Sequence, residues 1–367
     1  MILGSALNIG GAERVIANLA RHLDPGRFKL TVSHLKERGF TGEEIAAEGH
    51  DVVGVPRVTS GMSRYLSFRR LAQLIAERDI ELVHTHTTYA LFDAALCRLF
   101  GNRRLKVVHT FHFGNYPHYP AKYRLLERIA SRLVNRLIAV GIEQREVIRD
   151  TYGLAADSIA TIVNGVEPPN AAPDAEWRAR IEAEGSIVIG TACTCIEQKG
   201  LPDLLATAAI VCREHPRVRF LIVGDGAMRA PMEKRAAEMG LADRVTFAGW
   251  KLNAGATMLP LFDIFFQPSL WEAMSMVVLE AMAAGKPVVA TRVGDNAHVV
   301  KEGVTGYTVP RGDVAGMAAV LGKLVSSPGL RAQFGAAARA RFDELYHARS
   351  MARAYENLYA DVLGGSA

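Results

Sequence analysis

The chain has 367 residues, 49% hydrophobic and 22% charged, with a formal net charge of +5 and four cysteines. That is long for one domain and ordinary for two, and the balance of apolar and charged residues excludes a disordered chain. No apolar run approaches the roughly 18–20 residues of a membrane span, and the opening residues lack the basic region and cleavage pattern of a secretory leader, so a cytoplasmic protein is expected.

Short apolar, β-rich runs alternate with helical patterns from one end to the other, which predicts a parallel α/β architecture. The run 1–6 is the expected first strand; it is short, so either the strand is stunted or the chain begins further upstream. Gly10-Gly11 then opens a helix near Ala12. Without side chains these two residues let backbone N–H groups approach an anion; a plain strand-to-helix turn is the other reading. Strands are predicted at 28–35, 51–55, 81–84, 106–110, 137–140 and 159–163. His86 and His112 end two of them at the carboxyl edge, where open α/β sheets bind ligands, and a packing role is the alternative for each.

This half of the chain is the basic one. Between Arg57 and Asp150 sixteen Lys and Arg stand against eight Asp and Glu, a local +8 that leaves −3 elsewhere. Arg124, Arg128, Arg132 and Arg136 recur every four residues beside an apolar stripe of Leu125, Ile129 and Leu133, which predicts a basic amphipathic helix over 122–137. Such a helix either lies on an anionic membrane or presents a solvated face over a packed one. No basic stretch is interleaved with stacking aromatics, so nucleic acid is not expected; a membrane surface or a phosphate-bearing acceptor fits the charge better.

Three prolines in 167–173 disfavour regular structure and mark a linker, giving domains at 1–167 and 174–345 about a linker at 168–173, with a closing segment at 346–367. Strands in the second half are predicted at 187–193, 219–223, 245–248, 264–267, 287–290 and 306–309. Cys193 ends the first of these and Cys195 follows two residues on, a Cys-x-Cys pair whose alternate side chains share a face in an extended strand, and with Cys97 and Cys212 they read as reduced packing cysteines rather than a disulfide or zinc site. Gly224-Asp225-Gly226 lacks the third glycine of a dinucleotide fingerprint, so NAD is not expected.

The most informative stretch is 262–313. Pro268-Ser269-Leu270-Trp271-Glu272 is followed eight residues later by Glu280 in an Ala-rich helical run, so two acids frame one helix start. A helix N-terminus offers unpaired N–H groups and a positive dipole end to a phosphate, while carboxylates beside it accept hydrogen bonds from sugar or ribose hydroxyls. A nucleotide-sugar site needs this combination.

The same stretch resembles the retaining glycosyltransferases of family 4. The likeness is carried by Glu272 and by Glu280-Ala281-Met282-Ala283-Ala284-Gly285-Lys286-Pro287-Val288-Val289-Ala290-Thr291, then Val293-Gly294, Gly303-x-x-Gly306 and Val309-Pro310-x-Gly312-Asp313. Upstream, Leu7-Asn8-Ile9-Gly10-Gly11-Ala12-Glu13-Arg14, Val83-His84-Thr85-His86, Thr110-Phe111-His112, Val163-Asn164-Gly165-Val166-Glu167, Lys199-Gly200 and Leu221-Ile222-Val223-Gly224-Asp225-Gly226 follow in the family's order, so the resemblance spans essentially the whole chain.

The resemblance implies the GT-B fold, two Rossmann-like domains facing each other across a cleft, with the acceptor on the first domain, the nucleotide sugar on the second and a terminal helix returning to the first. It implies transfer of a sugar from a nucleoside-diphosphate sugar, UDP-sugar favoured, to a hydroxyl acceptor that includes lipid-linked ones, in bacterial surface polysaccharide or glycolipid synthesis. No cofactor and no obligatory metal are implied, and no Asp-x-Asp pair of the metal-dependent single-domain type occurs. By the same resemblance Glu272 binds hydroxyls of the donor sugar, Glu280 the ribose, Lys199 the diphosphate and His112 the transferred sugar. Gly10, Gly11, Thr194, Trp250, Ala273, Met274 and Ser275 complete the implied donor site.

Some positions depart from the family pattern. Thr194 stands where an arginine usually precedes the lysine by five residues, and losing a bidentate guanidinium beside a diphosphate weakens the transition state unless another group, such as Arg292 or Arg14, replaces it. Ala273 and Ser275 replace glycines, and His298 replaces a glutamate. A nucleotide-sugar-binding protein with little or no turnover is therefore the second reading, and a phosphorylase of the same fold a third.

Overall fold

The computed structural model describes residues 1–56 and 67–364. Arg57 and Arg64, counted in the basic stretch, and the last three residues of the closing segment lie outside the described residues. The chain divides into two compact units, Met1–Gly165 with Ala348–Ala367, and Val166–His347. The proline-rich segment 168–173 lies in the second.

The first unit holds a parallel sheet of seven strands: β1 (Ile2–Ala6), β2 (Val32–Glu37), β3 (Val52–Gly54), β4 (Leu82–Thr85), β5 (Lys106–Phe111), β6 (Arg136–Ala139) and β7 (Ile159–Thr161), in the order β3-β2-β1-β4-β5-β6-β7. The second holds six: β8 (Ile187–Ala192), β9 (Val218–Val223), β10 (Val245–Gly249), β11 (Ile264–Gln267), β12 (Val288–Thr291) and β13 (Gly306–Val309), in the order β10-β9-β8-β11-β12-β13. Helices cover both faces of a parallel sheet, so its central strands are buried on both sides and read as continuous apolar runs; Val289, Ile264 and Phe266 all lie in one core with Leu204, Leu205 and Leu321 of the covering helices. In both sheets the strand order reverses at the first strand of the unit, between β1 and β4 and between β8 and β11. Such a reversal opens a crevice beyond the carboxyl ends of the two strands.

Two predicted strand limits shift for visible reasons. The opening run is a full central strand, with Ile2 opposite Val32 on one side and His84 on the other. The strand expected over 28–35 begins instead at Val32, because Phe28 turns out of the sheet to meet Tyr359 edge to face at 5.7 Å. Tyr359 belongs to the closing helix Ala348–Leu363, which is fastened to the first unit by Glu356 accepting from the Asp24 N–H, Tyr359 against His84 and Tyr355 against Thr110.

The basic helix predicted over 122–137 is a correction. It spans Ala121–Ala130 only. Arg132 and Leu133 make tight bonds back to Ile129 and Ala130, and Asn135 then hooks onto Val107 of β5 through both its backbone N–H and its side-chain carbonyl. Arg136 already belongs to β6, so the four-residue arginine repeat runs through a helix, a turn and a strand. The apolar stripe also faces the other way: Leu125 and Ile129 are 59% and 47% exposed, while Glu127 and Ala130 point inward. Cys193 and Cys195 lie beyond the end of β8, in a loop rather than a strand; all four cysteines are free. No helix among the described residues is long and apolar enough to cross a membrane.

Candidate active site

The reversal between β8 and β11 positions the residues with the clearest chemistry. The chain leaves β8 through the loop 193–196 into a short turn, Glu197–Lys199, and leaves β11 through the loop 268–275. Lys199 Nζ lies 2.6 Å from Glu272 Oε1, and these side chains are only 16% and 7% exposed. Ser269 Oγ donates to the same carboxylate oxygen at 2.8 Å, and Gln198 Nε2 reaches the other oxygen at 3.4 Å and the Trp271 carbonyl at 3.0 Å. Two desolvated charges held by further hydrogen bonds form a fixed pair, and removing either leaves the other uncompensated.

Glycine allows the loops to meet. Gly200 has φ +62°, and a Cβ on it would stand 1.9 Å from the Pro268 carbonyl oxygen. Gly294, after β12, has φ +49°, and a Cβ there would stand 2.2 Å from the Glu272 carbonyl oxygen. Lys-Gly and Val-Gly in the sequence are therefore backbone contacts between neighbouring loops. The Cys193 thiol sits beside the pair, pushed well up by the adjoining Cys195 thiol and by burial, so it is neutral there.

The helix after β11 begins later than its sequence suggests. It spans Met276–Ala283, with Ser275 as its N-cap accepting from the Val278 N–H, and Gln267 donating to the same hydroxyl. Glu272 thus lies in the loop four residues before the helix, and Glu280 in its body. Gly255 packs against the Glu280 carboxylate, since a Cβ on it would come within 3.1 Å of Oε2; Trp250, on the same segment after β10, is exposed. Ala273 and Met274 are buried in the loop, the Ala273 carbonyl accepting from the Asp295 N–H.

Thr194 is exposed just after β8. The two arginines considered as its replacement have other partners: Arg292 donates to the Thr308 carbonyl, and Arg14, in the first unit, pairs with Glu44 at 3.1 Å. His298 is exposed, and its backbone carbonyl accepts from Arg341. Ser269 and Gln198 are the site residues sequence reasoning missed. Ser269 lies in the Pro268–Glu272 run and bonds Glu272 three residues on, whereas Gln198 reaches Trp271 and Glu272 across more than seventy residues, a pairing no local pattern reports.

In the first unit Gly10 caps the helix Gly11–His22. The first helical turn carries the chain's own Glu13, whose carboxylate accepts from its own backbone N–H and would lie 2.3 Å from a Cβ on Gly10. The two predicted histidines do meet: His86 Nδ1 and His112 Nε2 are 2.9 Å apart with the rings stacked. Burial pushes the His112 imidazole down to about 4 and His86 well below its usual range, so the pair is neutral and shares one hydrogen. Among the described residues no three of His, Cys, Asp and Glu come together as a metal site.

Residues 9–169 match the family described as Glycosyltransferase Family 4, and residues 174–341 match Glycosyl transferases group 1. The chain is 30% identical over 356 residues to the D-inositol 3-phosphate glycosyltransferase of Streptomyces scabiei, covering 88% of this chain and 72% of that one. The chain belongs to the family 4 glycosyltransferases. This glycosyltransferase is also 26% identical over 361 residues to the lipopolysaccharide core biosynthesis glycosyltransferase LpsD of Rhizobium meliloti, covering 95% of each. Its GT-B fold is shared with Anabaena HepE in complex with UDP-glucose, at a TM-score of 0.84 over 98% of this chain and 99% of that one; at 20% identity the likeness is one of fold.

Proposed function

We propose that this glycosyltransferase takes a sugar from a nucleoside-diphosphate sugar, UDP-sugar favoured, and transfers it with retention to a hydroxyl acceptor in surface polysaccharide or glycolipid synthesis. The observation that carries the reading is the Lys199–Glu272 pair at the point where the second sheet reverses its strand order. As the bond from the anomeric carbon to the diphosphate breaks, negative charge gathers on the leaving oxygen, and an ammonium already fixed beside it stabilises that charge without reorganisation. Glu272 accepts from sugar hydroxyls, Glu280 from the ribose, and His112 serves the transferred sugar. The acceptor oxygen attacks on the face the diphosphate leaves, and the leaving phosphate oxygen receives its proton, so configuration is kept. No metal is required in this scheme. The HepE complex with UDP-glucose and the surface-glycan role printed for LpsD support the choice of donor and setting.

The acceptor is read as lipid-carried, with the helix Ala121–Ala130 resting on the membrane. Leu125 and Ile129 are exposed on it beside exposed Lys122 and Arg128, the composition that binds anionic lipid surfaces. The exposed Thr194 favours one second reading, a donor-binding protein with little turnover.

The test is a panel of UDP-, GDP- and ADP-sugars, read by thermal shift and by slow donor hydrolysis, with Lys199→Ala and Glu272→Ala beside the unaltered protein. A UDP-sugar is expected to stabilise and be hydrolysed by the unaltered protein only. Binding without hydrolysis or transfer identifies the second reading. Equal behaviour of all three proteins overturns the site.

A further inference from the structure

The first sheet carries a set of aromatic side chains that the scheme above leaves unused. β2, β4 and β5 deliver Lys36, Tyr89 and Phe113 to its carboxyl edge, and Tyr119, Lys122 and Tyr123 follow at the start of the helix Ala121–Ala130. Phe113 and Tyr119 lie 4.2 Å apart between centroids, Tyr119 and Tyr123 stack at 5.2 Å, and Tyr89 meets Tyr123 nearly at right angles at 5.7 Å. Lys122 Nζ rides 4.7 Å from the Tyr123 ring centroid and Lys36 Nζ 5.8 Å from that of Tyr89.

The base of this shelf is fixed. The Tyr119 hydroxyl meets Thr88 Oγ1 at 3.0 Å, and Thr88 donates to the buried Glu127, which also accepts from two tyrosine hydroxyls behind it. Its outer side is open: Tyr89 is 41% exposed, both lysines are exposed, and Phe113, Tyr119 and Tyr123 are partly so. Packing alone would bury such rings. The shelf adjoins the reversal between β1 and β4, and Phe113 follows directly on His112.

We propose that this shelf is an acceptor subsite for a pyranose ring that carries a phosphate or diphosphate. The reading rests on the transferase function above and names its acceptor class. The C–H bonds on a pyranose face are positively polarised and match the negative face of an aromatic ring, as the edge of one ring matches the face of another. Tyrosine hydroxyls add hydrogen bonds at the rim. Lysine over an exposed ring is weakly held compared with a charge-assisted bond to a phosphate oxygen, so the ligand's phosphate draws both ammonium groups off the rings and clears their faces for the sugar.

The experiment titrates glucose, galactose and N-acetylglucosamine 1-phosphates into the protein with UDP saturating, so that the donor site is filled. At least one is expected to bind roughly tenfold more tightly than inorganic phosphate or the matching methyl glycoside. Tyr89→Ala and Tyr123→Ala are expected to remove that margin, Tyr123→Phe to keep it because the ring remains, and Lys122→Ala to weaken the phosphates while sparing the methyl glycoside. The same sugar on a short prenyl diphosphate in detergent micelles separates the sources: tighter binding names a lipid carrier, equal binding a free sugar phosphate, and either keeps the shelf. No margin over phosphate and methyl glycoside, or a margin that survives both alanine variants in folded protein, overturns it. UDP titrated alone into the unaltered protein tests the donor reading separately, so a failure there and a failure of the shelf are told apart.

Discussion

At Lys199 the ammonium is 2.6 Å from a carboxylate that is 7% exposed and also bonded by Ser269, so the substitution Lys199→Ala acts twice. It strands a desolvated charge, which costs about 3 kcal/mol of stability, and under the proposed function it removes the cation that meets the leaving diphosphate, which is expected to lower turnover by about two to three orders of magnitude. Glu272→Gln keeps the shape but leaves the Lys199 ammonium without its counter-charge, so it is expected to lose both turnover and melting temperature; rates and calorimetry on the two variants check both halves. Thr194→Arg tests the opposite direction. The position is exposed, and under the proposed function a guanidinium there would meet the diphosphate, so turnover is expected to rise about tenfold at unchanged stability. A rate that does not rise would mean that the site reaches its working charge by Lys199 alone. Lys199 and Glu272 were legible in the sequence because each sits in a dense local motif. Gln198 was not, because what makes it matter is the loop crossing that Gly200 permits, and a crossing between distant segments leaves no spacing to read; Ser269 was not because a serine three residues before an acid in a loop carries no signal of its own until the loop folds its hydroxyl onto the carboxylate.

The strands were the most legible elements, since a parallel strand covered on both faces must be apolar throughout, and every predicted run found its partner within a few residues of the expected ends. The stretch 122–137 was the least, because a repeat of arginines every four residues fits a helix whether or not the backbone continues as one. The competing demand came from β5, whose edge takes Asn135 and then Arg136–Ala139 into the sheet. What the shortened helix Ala121–Ala130 leaves outside is Leu125 and Ile129, so its outward face combines exposed apolar and basic groups. Leu125→Ser with Ile129→Ser is expected to cut partitioning onto vesicles containing anionic lipid by about tenfold, each side chain contributing on the scale of ordinary apolar burial. Thermal stability should not fall, because neither side chain packs inward. Co-sedimentation at low and at high salt is the measurement, and binding that survives both substitutions but vanishes with salt would assign the contact to the basic residues alone.

The two units respond differently to acid, because their histidines are placed differently. In the first, His84, His86 and His109 are buried and His112 is partly so; in the second, none of the histidines among the described residues is buried. Burial, with the histidines acting on one another, holds His84 and His86 well below the usual imidazole range, burial holds His109 at about 3, and His112 lies at about 4. In the unfolded chain each titrates near 6.5. Between about pH 6.5 and pH 4 the unfolded chain therefore takes up protons that the folded unit refuses, and stability declines as pH falls, by up to about 1.4 kcal/mol per pH unit for each histidine involved. Glu127, Glu13 and Asp93 work in the opposite sense, since burial raises their carboxyls and favours the protonated acid in the folded state, but they are three groups against the four histidines and the buried Met1 amino group, which burial holds down to about 5. The histidine cluster also joins the closing helix to the sheet, through His84 and Tyr359, so its protonation loosens the fastening of that helix. Lowering the pH from about 7.5 to about 5 is expected to bring hydrogen exchange in β4, β5 and the helix Ala348–Leu363 forward of exchange in β8 and β11, and to move one calorimetric transition down more than the other. Replacing His84 with glutamine, which keeps hydrogen bonds to Tyr359 and Thr110 without a group that must gain a proton, is expected to flatten the pH dependence of the first unit. Exchange that advances equally in both sheets would show that the acid response lies outside this cluster.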